Sequence, residues 1–384
     1  MPRMEAAGRL NRTPPLDDQG RFTLGCFRGL TVGDAEELEE DYLADVRRFG
    51  ADIASEKTYY LLSEGKTLHE LFLMWAWAVT KDYGLLKLVP TFAQEDTIDE
   101  IMTAGREERG CVLYVLKARQ LGQTTGIQCL WYLLAAQMQH RRFLTMAHKD
   151  EKTLGIARMQ FDMHQAMPFR PRVRFALSRR RVQWIETQSE LGVESAEGRD
   201  PGRSSAFNFL HMSEHPLFDR AEDVDTAYAS TKPNYGFYVW IREGTGNGVG
   251  NAFYRGFKDA EAGRGIAKAR FHPWWKHPAY EVPVRDEDLF RFTQGELEEH
   301  ERDIVDYVQG QGLNLLERPE KLNWYRKELV TFYKGDIDKM WQENPTWPMQ
   351  AFLSGGRPVF DLKGFERLLA SKRLDPVFTG DILA

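Results

Sequence analysis

Between Cys111 and Gln139 the chain changes character twice within a few residues, and few folds accept that order. Cys111 to Leu116 is a short β-prone apolar run, Lys117 to Gly122 is a polar loop, and Thr124 to Gln139 reads as an apolar-rich helix. A strand that ends in a lysine, a glycine that frees the backbone and a helix that opens on threonines together let main-chain amides and a helix N-terminus surround an anion. Taken alone, Lys-x-x-x-x-Gly-x-Thr also describes a basic turn capped by Thr124, so the neighbouring elements have to decide. Downstream they alternate. Phe143–Ala147 is strand-like and 150–167 helical, 173–196 reads as short strands or hairpins, 207–212 as a strand, 219–231 as a helix, 237–242 as a strand, 249–262 as a helix and 269–275 as extended. The alternation predicts an α/β domain on a largely parallel sheet.

Upstream, 31–80 follows a three-to-four spacing of apolar residues, and Leu71 to Val79 is expected to be a buried helix, far too short to span a bilayer. Met1 to Gly20 reads as a flexible leader without a signal-peptide core. The expected divisions are a leader over 1–24, a helical N-terminal part of a small lid subdomain over 25–86, a phosphate-loop core over 87–280, a helical C-terminal part over 281–360, and a linker over 361–384. With 42% hydrophobic and 28% charged residues the chain has the usage of a soluble globular protein, which excludes disorder or a membrane protein as the main reading. Cys26, Cys111 and Cys129 form no Cys-x-x-Cys pair and are expected to be reduced core thiols in a reducing cytoplasm. The net charge of -6 argues against nucleic-acid binding over the whole surface, so any DNA contact must be concentrated on one face. The densest basic stretch is Arg170, Arg172, Arg174 and Arg179 to Arg181, a hairpin edge or a groove for phosphates.

The loop Lys117-Ala-Arg-Gln-Leu-Gly-Gln-Thr-Thr125 has the shape of a Walker A loop with one rearrangement: Lys117 takes the opening position and Gln123 stands where lysine is usual. Gly122 would let the backbone approach phosphates, and Thr124 would offer a hydroxyl to Mg2+. Lys117 would swing its ammonium to the β- and γ-phosphates, and Arg119 adds a second cation for the transferring group. Gln120, Gln123 and Thr125 complete the loop. Phe207 to Glu214 is an apolar strand that delivers a carboxylate, as a Walker B strand does, making Glu214 the candidate base for an attacking water. Ser213 stands where aspartate is usual, and its hydroxyl could reach the metal only through a bound water. Four glycines between Gly244 and Gly250 make a polar loop in which Thr245 and Asn247 could sense the γ-phosphate. Gln94, after Pro90 and Phe92, is a candidate for an adenine edge or an ordinary surface glutamine.

In this order the motifs resemble those of bacteriophage terminase large subunits, from Gln94 through the Lys117 loop, Leu210 to Glu214, Glu243 to Gly248, Phe253-Tyr254 and Phe271 to Pro278, to Pro348–Phe352 and Val359–Asp361. The resemblance covers the chain from about Leu85 onward, and it implies a P-loop NTPase fold with a RecA-like sheet plus a small mostly helical subdomain. It implies an ATP- and Mg2+-dependent motor that moves double-stranded viral DNA into a procapsid. Lys117 and Thr124 would hold phosphates and metal, Arg119 would be an in-cis arginine finger, Glu214 the catalytic acid and Thr245 part of the coupling motif. Arg199 and Arg203 are candidates for a finger reaching a neighbouring subunit, or solvated loop arginines. The implied partners are double-stranded DNA, a portal protein, a terminase small subunit and further copies in a ring, with no membrane. The implied place is the host cytoplasm, docked transiently on the procapsid and absent from the mature virion. No strands bearing spaced acidic residues follow Asp361, so no nuclease activity is expected from this chain. The alternatives are a helicase-like remodelling ATPase and, from Gln123 and Ser213, a catalytically inert nucleotide-binding module.

Overall fold

A computed structural model describes residues 77–80, 84–87, 90–166, 175–178, 180–185, 187–197, 206–229, 232–233 and 235–352. The first strands, β1 (Trp77–Thr80) and β2 (Gly84–Lys87), pair antiparallel with Trp77 opposite Lys87 and Thr80 opposite Gly84. This corrects the expected helix over 71–79 at its C-terminal end. Trp77, Val79 and Thr80 are strand formers, and a pairing partner only a few residues away overrides the local three-to-four spacing. The leader, most of the expected helical lead-in, and the linker lie outside the described residues.

Helix α1 (Phe92–Arg106) starts on a capping box: Gln94 Oε1 accepts from the Thr91 amide at 2.8 Å, and the Thr91 hydroxyl accepts from the Gln94 amide at 3.4 Å. Next come β3 (Gly110–Lys117), α2 (Gln123–Gln137), β4 (Arg142–Ala147), α3 (Asp150–Ala166), β5 (Phe175–Leu177), β6 (Arg181–Trp184), β7 (Ser189–Ser195) and β8 (Phe209–Ser213). Then follow α4 (Ala221–Ala229), β9 (Tyr238–Gly244), α5 (Ala252–Glu261) and β10 (Ala267–His272), and finally α6 (Glu299–Gly310), α7 (Pro319–Thr331) and α8 (Ile337–Glu343).

Eight of the described strands form one sheet in the order β10-β3-β9-β8-β4-β7-β6-β5. From β10 to β7 every pairing is parallel, and only β6 and β5 run antiparallel at the edge. The expected α/β class is therefore observed. The β9 strand lies between the loop strand β3 and the acid strand β8, which is the RecA-like order. Strand β3 shows why the sheet has helices on both faces. Cys111, Leu113 and Val115 join the core built with α1 and α2, whereas Tyr114 and Leu116 pack with Phe253 and Phe257 of α5 on the other face. A strand buried on both sides reads as a continuous apolar run. Cys111 and Cys129 are free and buried, and burial pushes the Cys111 thiol up to about 12, so both behave as inert core residues. No described helix is long and apolar enough to cross a membrane.

A second apolar cluster joins the phosphate loop to the C-terminal helices. Ala118, Leu121, Trp274 and Trp275 pack with Ile304, Leu322, Tyr325 and Met340. The Trp274 and Trp275 indoles both donate to Thr346, at 3.1 Å each. The last helices are thereby fixed against the loop's outer side.

Candidate active site

The parallel sheet delivers the ends of β3, β8 and β9 to one edge, where Lys117, Ser213, Glu214 and Glu243 meet. Gly122 is the N-cap of α2 with φ +70°, exposed and without a side-chain cap, so the first turn of α2 faces the loop with its amides. A Cβ on Gly122 would sit 2.9 Å from Gln94 Nε2. That amide donates to the Gly122 carbonyl at 2.6 Å, while Gln94 Oε1 caps α1. The surface-glutamine reading of Gln94 is corrected on this point: the residue is buried, and its amide ties the start of α1 to the glycine turn.

Lys117 is buried at the end of β3, with Nζ 3.3 Å from Glu214 Oε1 and 3.4 Å from Glu243 Oε2. Burial works against the charged form, but the carboxylates of Glu243 and Glu214 outweigh it and hold the ammonium pKa above its ordinary value. Glu214 has φ 58° and ψ 40°, a left-handed conformation that costs a residue with a side chain about 1–3 kcal/mol. The turn is held by the Leu217 amide donating to the Glu214 carbonyl at 2.9 Å, and it directs a half-buried carboxylate toward the lysine.

Gln123, in the position usual for lysine, turns away from the loop. It is buried and donates through Nε2 to Thr97 Oγ1 of α1 at 2.5 Å. Thr97 in turn lies 3.4 Å from His272 Nε2, and burial, with Lys276, Arg270 and Lys117 nearby, pushes that imidazole down to about 3. His272 is thus neutral, and its backbone carbonyl takes the Ala118 amide at 2.8 Å to fix the start of the loop. Gln120 is exposed with φ +59°, and Thr125 is half-buried on the first turn of α2. Arg119 projects outward, with Nη1 3.4 Å from Glu343 Oε2 at the end of α8.

Thr124 Oγ1 donates to Glu243 Oε1 at 2.7 Å and lies 3.0 Å from Ser213 Oγ. Sequence reasoning passed over Glu243, which is fully buried, because it reads there only as the first residue of a glycine-rich loop. In that loop Thr245 is buried, and Asn247 Nδ2 donates to the Pro216 carbonyl at 3.0 Å, tying the loop to the turn that carries Glu214. Gly246 accepts from Gln342 Nε2 at 3.0 Å, and a Cβ there would lie 1.7 Å from the Ala351 carbonyl oxygen. Gly246→Ala is therefore expected to push the loop off the 348–352 turn and to lower stability by about 1–3 kcal/mol, measured by urea denaturation. An unchanged midpoint would show that the contact is not needed.

Between the loop and the C-terminal helices lies a hollow of about 420 Å3 lined by Arg119, Gln120, Tyr280, Trp324, Phe332 and Asn344, among others. Tyr280 stacks on Trp324 with ring centroids 4.3 Å apart and donates its hydroxyl to the Arg119 carbonyl at 2.6 Å. Arg199 and Arg203 lie outside the described residues, as do Arg170, Arg172, Arg174 and Arg179. Arg180 faces Asp150, and Arg181 faces Glu190.

No family model matches the chain, and no curated protein matches it. Among solved structures it is similar to the large terminase of bacteriophage HK97, at 14% identity and a TM-score of 0.40, over 61% of this chain and 49% of that one. The chain thus spans about half the length of that protein. It is similar to the ATPase domain of the Thermus phage P74-26 large terminase at 14% identity and a TM-score of 0.41, over 69% of this chain and 100% of that one. It is also similar to the large terminase of a thermophilic bacteriophage in complex with ATP-gamma-S, at 10% identity and a TM-score of 0.37, over 53% of this chain and 49% of that one. Each of these three is a bacteriophage large terminase or its ATPase domain.

Proposed function

We propose that this chain is an ATPase engine for packaging viral DNA, hydrolysing ATP at the loop between β3 and α2. The observation that carries the reading is the meeting of the Lys117 ammonium and the Glu214 carboxylate, 3.3 Å apart, beside a glycine turn and the N-terminus of a helix. A cation from the loop strand and a base from another strand are what phosphoryl transfer to water needs. Arriving phosphates compete for the ammonium, Lys117 turns from Glu214 to the β- and γ-oxygens, and Glu214 is left to take up a water. That water forms the new bond to the γ-phosphorus, its proton passes to Glu214, and the bond from the γ-phosphorus to the bridging oxygen of ADP breaks. Mg2+, for which Thr124 and Ser213 offer hydroxyls, would neutralise charge on the phosphate oxygens.

The base would lie in the aromatic hollow beside Arg119 rather than at Gln94. Phe332 is 69% exposed there and has no core role. Phe332→Ala is expected to weaken ATP binding about three- to tenfold while leaving inorganic triphosphate binding unchanged, as calorimetry would report. Equal binding of ATP by both proteins would move the base elsewhere.

The link from Glu214 through Pro216 and Asn247 to the docked Gly246 would pass the nucleotide state to the helical layer, and so to duplex DNA held through its phosphates. We include in the proposal a ring of copies on a portal, a small-subunit partner, and residence in the host cytoplasm during packaging. The test is ATP turnover and DNase protection of duplex DNA with procapsids carrying a portal. Turnover that rises with DNA, together with protected DNA, is expected. Failure of the wild-type chain to bind any nucleotide would sink the reading, and unwinding of forked duplexes without protection would replace it with a helicase-like one.

A further inference from the structure

We propose that Glu243, at the end of β9, supplies the metal-binding carboxylate of the nucleotide site, so that the charge missing at Ser213 is carried one strand over. This deepens the ATPase reading and rests on it. Ser213 and Glu243 are register partners on adjacent parallel strands, so both side chains leave the same face of the sheet, about 4.8 Å apart along the pairing direction. Because β9 lies between β8 and β3, the shift brings the carboxylate nearer the phosphate loop.

A fully buried glutamate at a strand end needs a reason, since ionised carboxylates are rarely buried without partners. Three donors converge on one of its oxygens. Oε1 accepts from Thr124 Oγ1 at 2.7 Å and Ser213 Oγ at 2.9 Å, and it lies 3.3 Å from His211 Nε2. The Gln128 amide nitrogen lies 3.2 Å from His211 Nδ1, which makes Nδ1 the acceptor and leaves Nε2–H to donate to Glu243. Gln128 Oε1 in turn accepts from Gln160 at 2.9 Å, so a buried chain of side chains holds the carboxylate. The other oxygen, Oε2, accepts no hydrogen bond among the described residues and lies 3.4 Å from the Lys117 ammonium.

The hydroxyl geometry points the same way. A threonine that gives its hydrogen to a carboxylate turns its lone pairs outward, where a cation can use them. Both Thr124 and Ser213 do this toward the same oxygen. Lys117 is the cation that now faces Glu243, and once the ammonium moves to the phosphates, Oε2 is left needing positive charge. Mg2+ suits such a site, since it binds through one or two carboxylates together with phosphate oxygens.

The test uses ADP, so that hydrolysis plays no part. Mn2+ affinity is read in the full chain by electron paramagnetic resonance with ADP present, and ADP affinity is read with and without metal. Glu243→Gln is expected to bind metal-free ADP within about threefold of wild type but to hold Mn2+ in the ternary complex at least about tenfold more weakly. Glu243→Gln combined with Ser213→Asp returns a carboxylate to the same pocket and is expected to recover most of the Mn2+ affinity. The double variant also carries the test if the single one does not fold. Unchanged Mn2+ affinity in Glu243→Gln, or no recovery in the double variant, overturns the proposal while the nucleotide site stands. Absence of ADP binding by wild type, with or without metal, overturns both.

Discussion

Replacing Lys117 by methionine is expected to abolish ATP turnover, by at least about a hundredfold, and to destabilise the fold by about 3–5 kcal/mol at neutral pH. Methionine keeps the length and packing of the stem, so the loss is one of charge. In the wild-type chain the ammonium lies within 3.4 Å of two carboxylates, one of them fully buried, and its removal leaves Glu243 facing a thioether. The pH dependence follows from Glu243. Burial raises its carboxyl pKa, but Lys117, His211 and the Thr124 hydrogen bond outweigh that and hold it far below the usual carboxylate range. A carboxylate with a depressed folded pKa adds stability above its unfolded value, near 4.5, and that stability is lost as pH falls below it. The gap between wild type and Lys117→Met should therefore be widest at neutral pH and shrink in acid, as urea denaturation at a series of pH values would show. Wild-type turnover in the variant would remove the lysine from the chemistry. A gap independent of pH would mean that Glu243 does not depend on it.

Glu214→Gln is expected to lower turnover by about 10^2 to 10^4 while leaving ATP affinity within a few-fold, because only the capacity to take a proton is removed. The side chain is half-buried and Lys117 keeps its contact with Glu243, so the stability change should stay within about 1 kcal/mol. Single-turnover and equilibrium-binding measurements separate the two effects. Loss of binding in step with loss of rate would make Glu214 a binding group rather than a base. The contrast with Lys117→Met is informative, since one variant should hold ATP without cleaving it and the other should do neither well.

Local signals in the chain account for much of the core and less of the site. The apolar runs of β3, β4, β8 and β9 are long enough and dry enough to be read as buried strands, and they appear within a few residues of their expected limits. Helix α1 was not among the expected elements; its signal, Thr91-x-x-Gln94 as a capping box, is present in the sequence, but Gln94 was read as a ligand or a surface residue. The strand over 77–80 was hidden because its pairing with 84–87 is a contact between segments, which helical spacing does not record. Gln123 could be seen to stand in a lysine's place, but its turn inward to Thr97 depends on where α1 packs.

The order of chemical groups along the chain, a lysine before the glycine turn, a threonine after it, and a glutamate closing a later strand, was set by sequence alone, because each group is tied to the end of an element that its own neighbours specify. Which carboxylate stands beside which hydroxyl was decided only in three dimensions. Strand order in a sheet is a long-range choice, and inserting β9 between β3 and β8 placed Glu243 against Thr124, Ser213 and Lys117, residues distant from it in sequence. A serine in the acid's position reads as a missing charge along one strand, and the neighbouring strand supplies that charge because parallel register brings the two strand ends together.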